Sequence, residues 1–62
     1  MKFNITVNGK DRNIEAETAE TAVRKEMSWY SAETIFTVKD ENGKISRFKR
    51  GGNKSDLILI SE

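Results

Sequence analysis

Phe3-Asn4-Ile5-Thr6-Val7-Asn8-Gly9-Lys10-Asp11-Arg12-Asn13-Ile14 is the stretch on which the fold turns. Phe3, Ile5 and Val7 alternate with Asn4 and Thr6, and period two with β-branched residues is the pattern of a half-buried strand. Asn8-Gly9 follows at once. A type I′ turn needs positive φ at both central positions, and Asn-Gly is the dipeptide that tolerates this best. A two-residue loop there sets Val7 opposite Lys10, Ile5 opposite Arg12 and Phe3 opposite Ile14. Phe3 and Ile14 then share a face, so pattern and turn agree on a second strand over residues 11–17.

Working outward, Thr18 has the chemistry of a helix N-cap, and Glu20 favours the first turn of a helix dipole. Ala19, Ala22, Val23, Met27 and Tyr30 fall at helical spacing and give one apolar stripe, with Glu20, Arg24, Lys25 and Glu26 off it. The reading is a helix over 18–30 with Trp29 at the stripe's edge. Residues 34–40 alternate again, with Phe36 and Val38 on one face and Ile35, Thr37 and Lys39 on the other. Asp40-Glu41-Asn42-Gly43-Lys44 then turns the chain. A two-residue loop would pair Phe36 with Lys49. A three-residue loop with Gly43 in the left-handed region pairs Phe36 with Phe48 and Val38 with Ser46, and matching aromatic to aromatic favours it. The fourth strand ends near Arg50. Residues 51–55 read as a loop. Residues 56–61, Asp-Leu-Ile-Leu-Ile-Ser, are apolar on both faces, as expected of a central strand covered on both sides.

The order hairpin, helix, hairpin, last strand resembles the β-grasp fold of ubiquitin-like proteins and of the immunoglobulin-binding domains of protein G. The hairpin opening at residue 2, the helix entered at Glu17-Thr18 and the apolar final strand carry the likeness. The resemblance implies an α+β, ββαβββ domain over residues 1–62. Its mixed sheet would have order 2-1-5-3-4, with the last strand parallel to the first at the centre and one helix on one face. Ubiquitin-like modifiers end in Gly-Gly, whereas this sequence ends Ile60-Ser61-Glu62, so conjugation and sulfur-carrier chemistry are not implied. Fold by itself does not give function.

Composition narrows the field. The 62 residues contain no Cys, His or Pro, and 11 Lys+Arg face 10 Asp+Glu, for a net +1. Disulfides, thiolate nucleophiles and His/Cys zinc sites are excluded, and there is no imidazole base. No carboxylate pair is singled out by its spacing, and no cofactor is expected. The longest apolar run, residues 57–60, is too short to span a membrane, and the N-terminus lacks a signal-peptide pattern, so the expected location is cytoplasmic. A chain this short buries only about 60% of its unfolded surface. It has little room for a pocket of about 300 Å³ or more, and a homodimer would relieve the small core. Asp40-Glu41-Asn42-Gly43 lacks the further oxygens of a calcium loop, and Gly52-Asn53-Lys54-Ser55 precedes a strand rather than the helix a phosphate loop requires.

Two features point to partners. The first is surplus apolar side chains. With Phe3, Ile5, Val7, Ile14, Phe36, Val38 and Phe48 turned to the helix, Ile35, Ile45 and half of 57–60 are left on the outer sheet face, rimmed by Lys39, Arg47 and Lys49. Apolar patches with polar rims mark partner surfaces, and ubiquitin-like proteins bind partners through a sheet face. This is the expectation of a small non-enzymatic protein-binding module, an adaptor or inhibitor such as a phage or mobile element directs at a host, using Ile35, Ile45, Arg47 and Lys39. The second is charge. Residues 44–54 hold Lys44, Arg47, Lys49, Arg50 and Lys54 and no acid. Such a hairpin either tracks phosphates or guards a sheet edge. Neutralising about five duplex phosphates would give a salt slope near −4.5.

Overall fold

The computed structural model describes residues 1–53 and 56–61. Five strands and one helix run in the order β1 (Lys2–Val7), β2 (Lys10–Glu15), α1 (Ala19–Glu26), β3 (Ile35–Lys39), β4 (Ile45–Arg50) and β5 (Leu57–Ser61), with a 3-10 turn at Met27–Trp29 after α1. They form a single sheet of order β2-β1-β3-β4-β5, every neighbouring pair antiparallel.

Local chemistry sets both hairpins as the sequence implies. Asn8 and Gly9 hold φ of 51° and 79°, and Phe3 lies opposite Ile14, Ile5 opposite Arg12 and Val7 opposite Lys10. In the second hairpin Gly43 is left-handed at φ 86°, Phe36 faces Phe48 and Val38 faces Ser46. The Asp40 carboxylate anchors this turn, accepting from the backbone N–H of Asn42 and of Lys44 at 2.9 Å each. Thr18 caps α1, its hydroxyl accepting from the Thr21 N–H at 3.1 Å. The regular helix stops at Glu26, short of the expected 30, because nothing after the 3-10 turn continues it: Tyr30 is already extended, at φ −122°. Trp29 is 78% exposed.

The order 2-1-5-3-4 with a parallel central strand is overturned. β5 pairs with β4 alone, antiparallel, at the edge. The physical reason is connection length. Six residues separate β4 from β5, enough for a hairpin, whereas a parallel return needs a crossover of about a dozen or more. The Gly51 N–H donates to the Asp56 carbonyl at 3.0 Å, closing that hairpin. β3, not β5, takes the centre of the sheet, between β1 and β4.

The core follows from this order. Ile5, Phe36 and Val38 on the sheet and Ala22 and Val23 on α1 are almost wholly buried, joined by Phe3, Val7, Met27 and Phe48. Tyr30 closes one end, its ring edge-on to Phe36 with centroids 5.5 Å apart. Glu26 is buried as well, but the Arg12 guanidinium of β2 reaches it at 2.8 Å, which supplies the partner a buried carboxylate requires. α1 packs on β1 and β3. Towards β4 and β5 the same face is open, leaving a groove of about 360 Å³ lined by Phe3, Ala19, Val38, Phe48 and Leu59 among others. The space is an open groove on the sheet and not a deep pocket. A single short helix leaves part of a five-stranded sheet bare.

Two outcomes follow from these contacts. A Cβ on Gly51 would stand 2.6 Å from the Asp56 Cβ, so Gly51→Ala forces the hairpin apart and should lower stability by about 1–3 kcal/mol in chemical denaturation. The Glu15 carboxyl is held below the usual carboxylate range, chiefly by the hydrogen bond from the N-terminal ammonium at 2.6 Å, with its charge and those of Lys2 and Lys25 adding. A carboxyl depressed on folding stabilises above its unfolded value near 4.5, and the stabilisation is lost as pH falls through the lower folded value. Acid unfolding followed by circular dichroism should therefore show a shallower dependence below that value in Glu15→Gln.

Candidate interaction surface

Strand pairing fixes what the outer sheet face presents. Ile35 lies opposite Lys49, and Lys49 opposite Ile58. One step along, Thr37 lies opposite Arg47, and Arg47 opposite Ser61. One further step along, Lys39 lies opposite Ile45. Ile35, Ile45 and Ile58 are 43%, 42% and 49% exposed, and Lys39 and Arg47 are exposed with them. The expected residues thus share a face, but not as one continuous apolar patch. Ile35 and Ile45 stand four residues apart along the β3–β4 ribbon, about 14 Å at strand rise, with the Thr37–Arg47 row between them. The surface is a mosaic in which Arg47 and Lys49 alternate with separate isoleucines across the strands.

Its electrostatics are one-sided. Lys39 and Arg47 make no ion pair with any described residue, while Lys49 is held by Glu33 at 3.1 Å. On the far side, Asp11 of β2 accepts from Thr6 at 2.6 Å, and the Asn13 side-chain carbonyl accepts from the Asn4 amide at 3.3 Å. The face therefore runs from neutral and acidic at β2 to cationic and aliphatic at β4.

The basic set at 44–54 is divided by strand alternation. Arg47 and Lys49 take the outer face. Phe48 is buried on the helix side, and Arg50 shares its parity and is only 8% exposed. Arg50 is thus not a surface cation, and its Nε finds no hydrogen-bond partner among the described residues. Lys44 lies off the strands and contributes to the groove lining. Lys54 lies outside the described residues. No single face collects the five.

The larger surprise is β5. The strand expected to be covered on both sides leaves Ile58, Leu59 and Ile60 each 49% exposed, and only Leu57 packs against the core. Its ladder to β4 is interrupted: Phe48 faces Leu59 and Arg47 faces Ser61, so Ile60 is an extra, bulged residue. The signal that could have found this was the short link at residues 51–56, which forbids a central position.

No helix among the described residues is long and apolar enough to cross a membrane. Arg47 and Arg50 give a direct test of the two faces. Arg47→Glu should change stability by less than about 0.5 kcal/mol, whereas Arg50→Glu should cost about 2 kcal/mol or more, because it places an unpaired carboxylate where the arginine is packed. Thermal melts of both variants would separate them. No family model, no curated protein and no solved structure matches the chain.

Proposed function

We propose that the protein is a small, non-enzymatic, cytoplasmic protein-binding module that acts through the outer face of β3 and β4. The observation that carries this reading is the grouping of exposed Ile35 and Ile45 with Lys39 and Arg47, two cations without an ionic partner among the described residues. Exposed aliphatic side chains on a rigid sheet provide burial on association. Uncommitted cations beside them select a partner with an acidic rim and speed its encounter. Adaptor or inhibitor action fits a domain with so little interior of its own.

A nucleic-acid role on the basic 44–54 segment has less behind it. Arg50 is buried, Lys49 is engaged by Glu33, and Phe48 is not offered for stacking. Lys44, Arg47 and Lys49 together would give a duplex salt slope of only about −2.7.

The two readings separate by experiment. Ile35→Asp and Ile45→Asp should leave the melting temperature within a few degrees and weaken capture of a purified partner at least tenfold, about 1.4 kcal/mol. Capture indifferent to both substitutions would overturn the surface. Amide NMR shifts at 44–50 induced by a random DNA duplex, fading with added salt, would transfer the function to nucleic acid.

A further inference from the structure

The two edges of the sheet are unlike. β2, at one edge, reads Lys10-Asp11-Arg12-Asn13-Ile14-Glu15 and carries four charges of alternating sign. Such charges are the usual protection of an edge whose N–H and C=O groups would otherwise recruit another strand. β5, at the other edge, reads Leu57-Ile58-Leu59-Ile60-Ser61 and carries no charge and no proline. Three of the large hydrophobic side chains that the described residues expose are consecutive here, Ile58, Leu59 and Ile60. Among the described residues, the one feature that blunts this edge is the bulge at Ile60.

We infer that β5 pairs antiparallel with β5 of a second copy of this chain, joining two sheets into one of ten strands. The two-fold axis lies at Ile58. It sets Leu57 against Leu59 twice and Ile58 against itself, and keeps the bulged Ile60 outside the pairing. Parity is respected. Leu57 and Leu59 lie opposite Arg50 and Phe48, on the helix face, and Ile58 lies opposite Lys49, on the outer face. Every cross-strand pair is apolar on apolar, a source of sheet stabilisation, and no charge is brought against its like within the paired residues. Pairing of this kind would end at two. The new sheet terminates in two β2 edges, both charged, so the contact is closed rather than fibrous. The axis leaves both helices on one side, and the two grooves floored by Phe48 and Leu59 open towards the shared seam.

Area sets the strength. A standard interface takes about 800 Å² from each partner, roughly a fifth of the 4147 Å² this protein exposes. A five-residue strand supplies less. The pairing therefore belongs with the small, transient contacts and is to be sought at high protein concentration.

Sedimentation equilibrium of the full chain from about 10 µM to 1 mM tests this. The weight-average mass should rise from 7.1 kDa towards twice that value, and amide exchange at 57–59 should slow with concentration. Ile58→Lys, which sets two ammonium groups at the axis, and Leu59→Lys, on the face away from Ile35 and Ile45, should each hold the protein monomeric with the fold kept by circular dichroism. A constant 7.1 kDa throughout the range overturns the inference and leaves the edge to a foreign strand. A dimer that survives both lysines, or one lost in Ile45→Asp instead, overturns it too and places the contact on the outer face. The proposed partner surface is independent of either result, because Ile35 and Ile45 lie outside the pairing.

Discussion

Everything in this structure depends on how much sheet one short helix can cover. α1 has eight residues, about 12 Å of axis and about 10 Å of width with side chains. Five strands at about 4.8 Å spacing are nearly 20 Å across. The helix therefore seals roughly half the sheet, and its position decides which half. Val23 and Ala22 rest over β1 and β3, and Ile5, Phe36 and Val38 become the centre of the core. Arg12 reaching across to Glu26 closes the β2 side. Among the described residues nothing comparable closes the β5 side, and the groove beside Leu59 and the half-exposed β5 side chains are the direct result.

Most of the local structure was legible because the deciding chemistry is local. Asn8-Gly9 admits one turn and therefore one register, and Gly43 with Phe36 and Phe48 does the same for the second hairpin. Thr18 marks the helix start because its hydroxyl has an orphan N–H to satisfy. The helix end was not legible, since no glycine or proline stops it and the change to a 3-10 turn at Met27 depends on how the chain must reach β3. The strand order was misread for another reason. An apolar run on both faces signals burial only if the chain can deliver it to the interior, and the six-residue link before Leu57 cannot. Pattern argued for the centre of the sheet, connection geometry for its edge, and geometry is the harder constraint.

The candidate surface was legible in the same partial way. That Ile35, Ile45, Lys39 and Arg47 point outward follows from the parity of Phe36, Val38 and Phe48, and so it was available from sequence. The same parity places Arg50 beside Phe48 on the buried face. Counting cations along the chain concealed this, because alternation along a strand sends neighbouring charges to opposite sides. The separation of Ile35 from Ile45 follows from the Phe36–Phe48 register and was equally available, whereas the place of Ile58 opposite Lys49 was not, since it depends on β5 being β4's neighbour.

Stability and association are coupled in such a molecule. A domain of this size is held by few kcal/mol, and its core is confined to the helix-covered half. Any surface that binds the β4–β5 half in the folded state alone adds RT ln(1 + [L]/Kd) to the folding free energy. The bare half then acts on the whole fold and not only on the contact, because β4 carries Phe48 into the same core that α1 seals. Covering β5 would steady β4, and β4 steadies β3 through the Phe36–Phe48 pair. The incomplete roof over the sheet thus marks the half of the fold that any bound ligand would steady most.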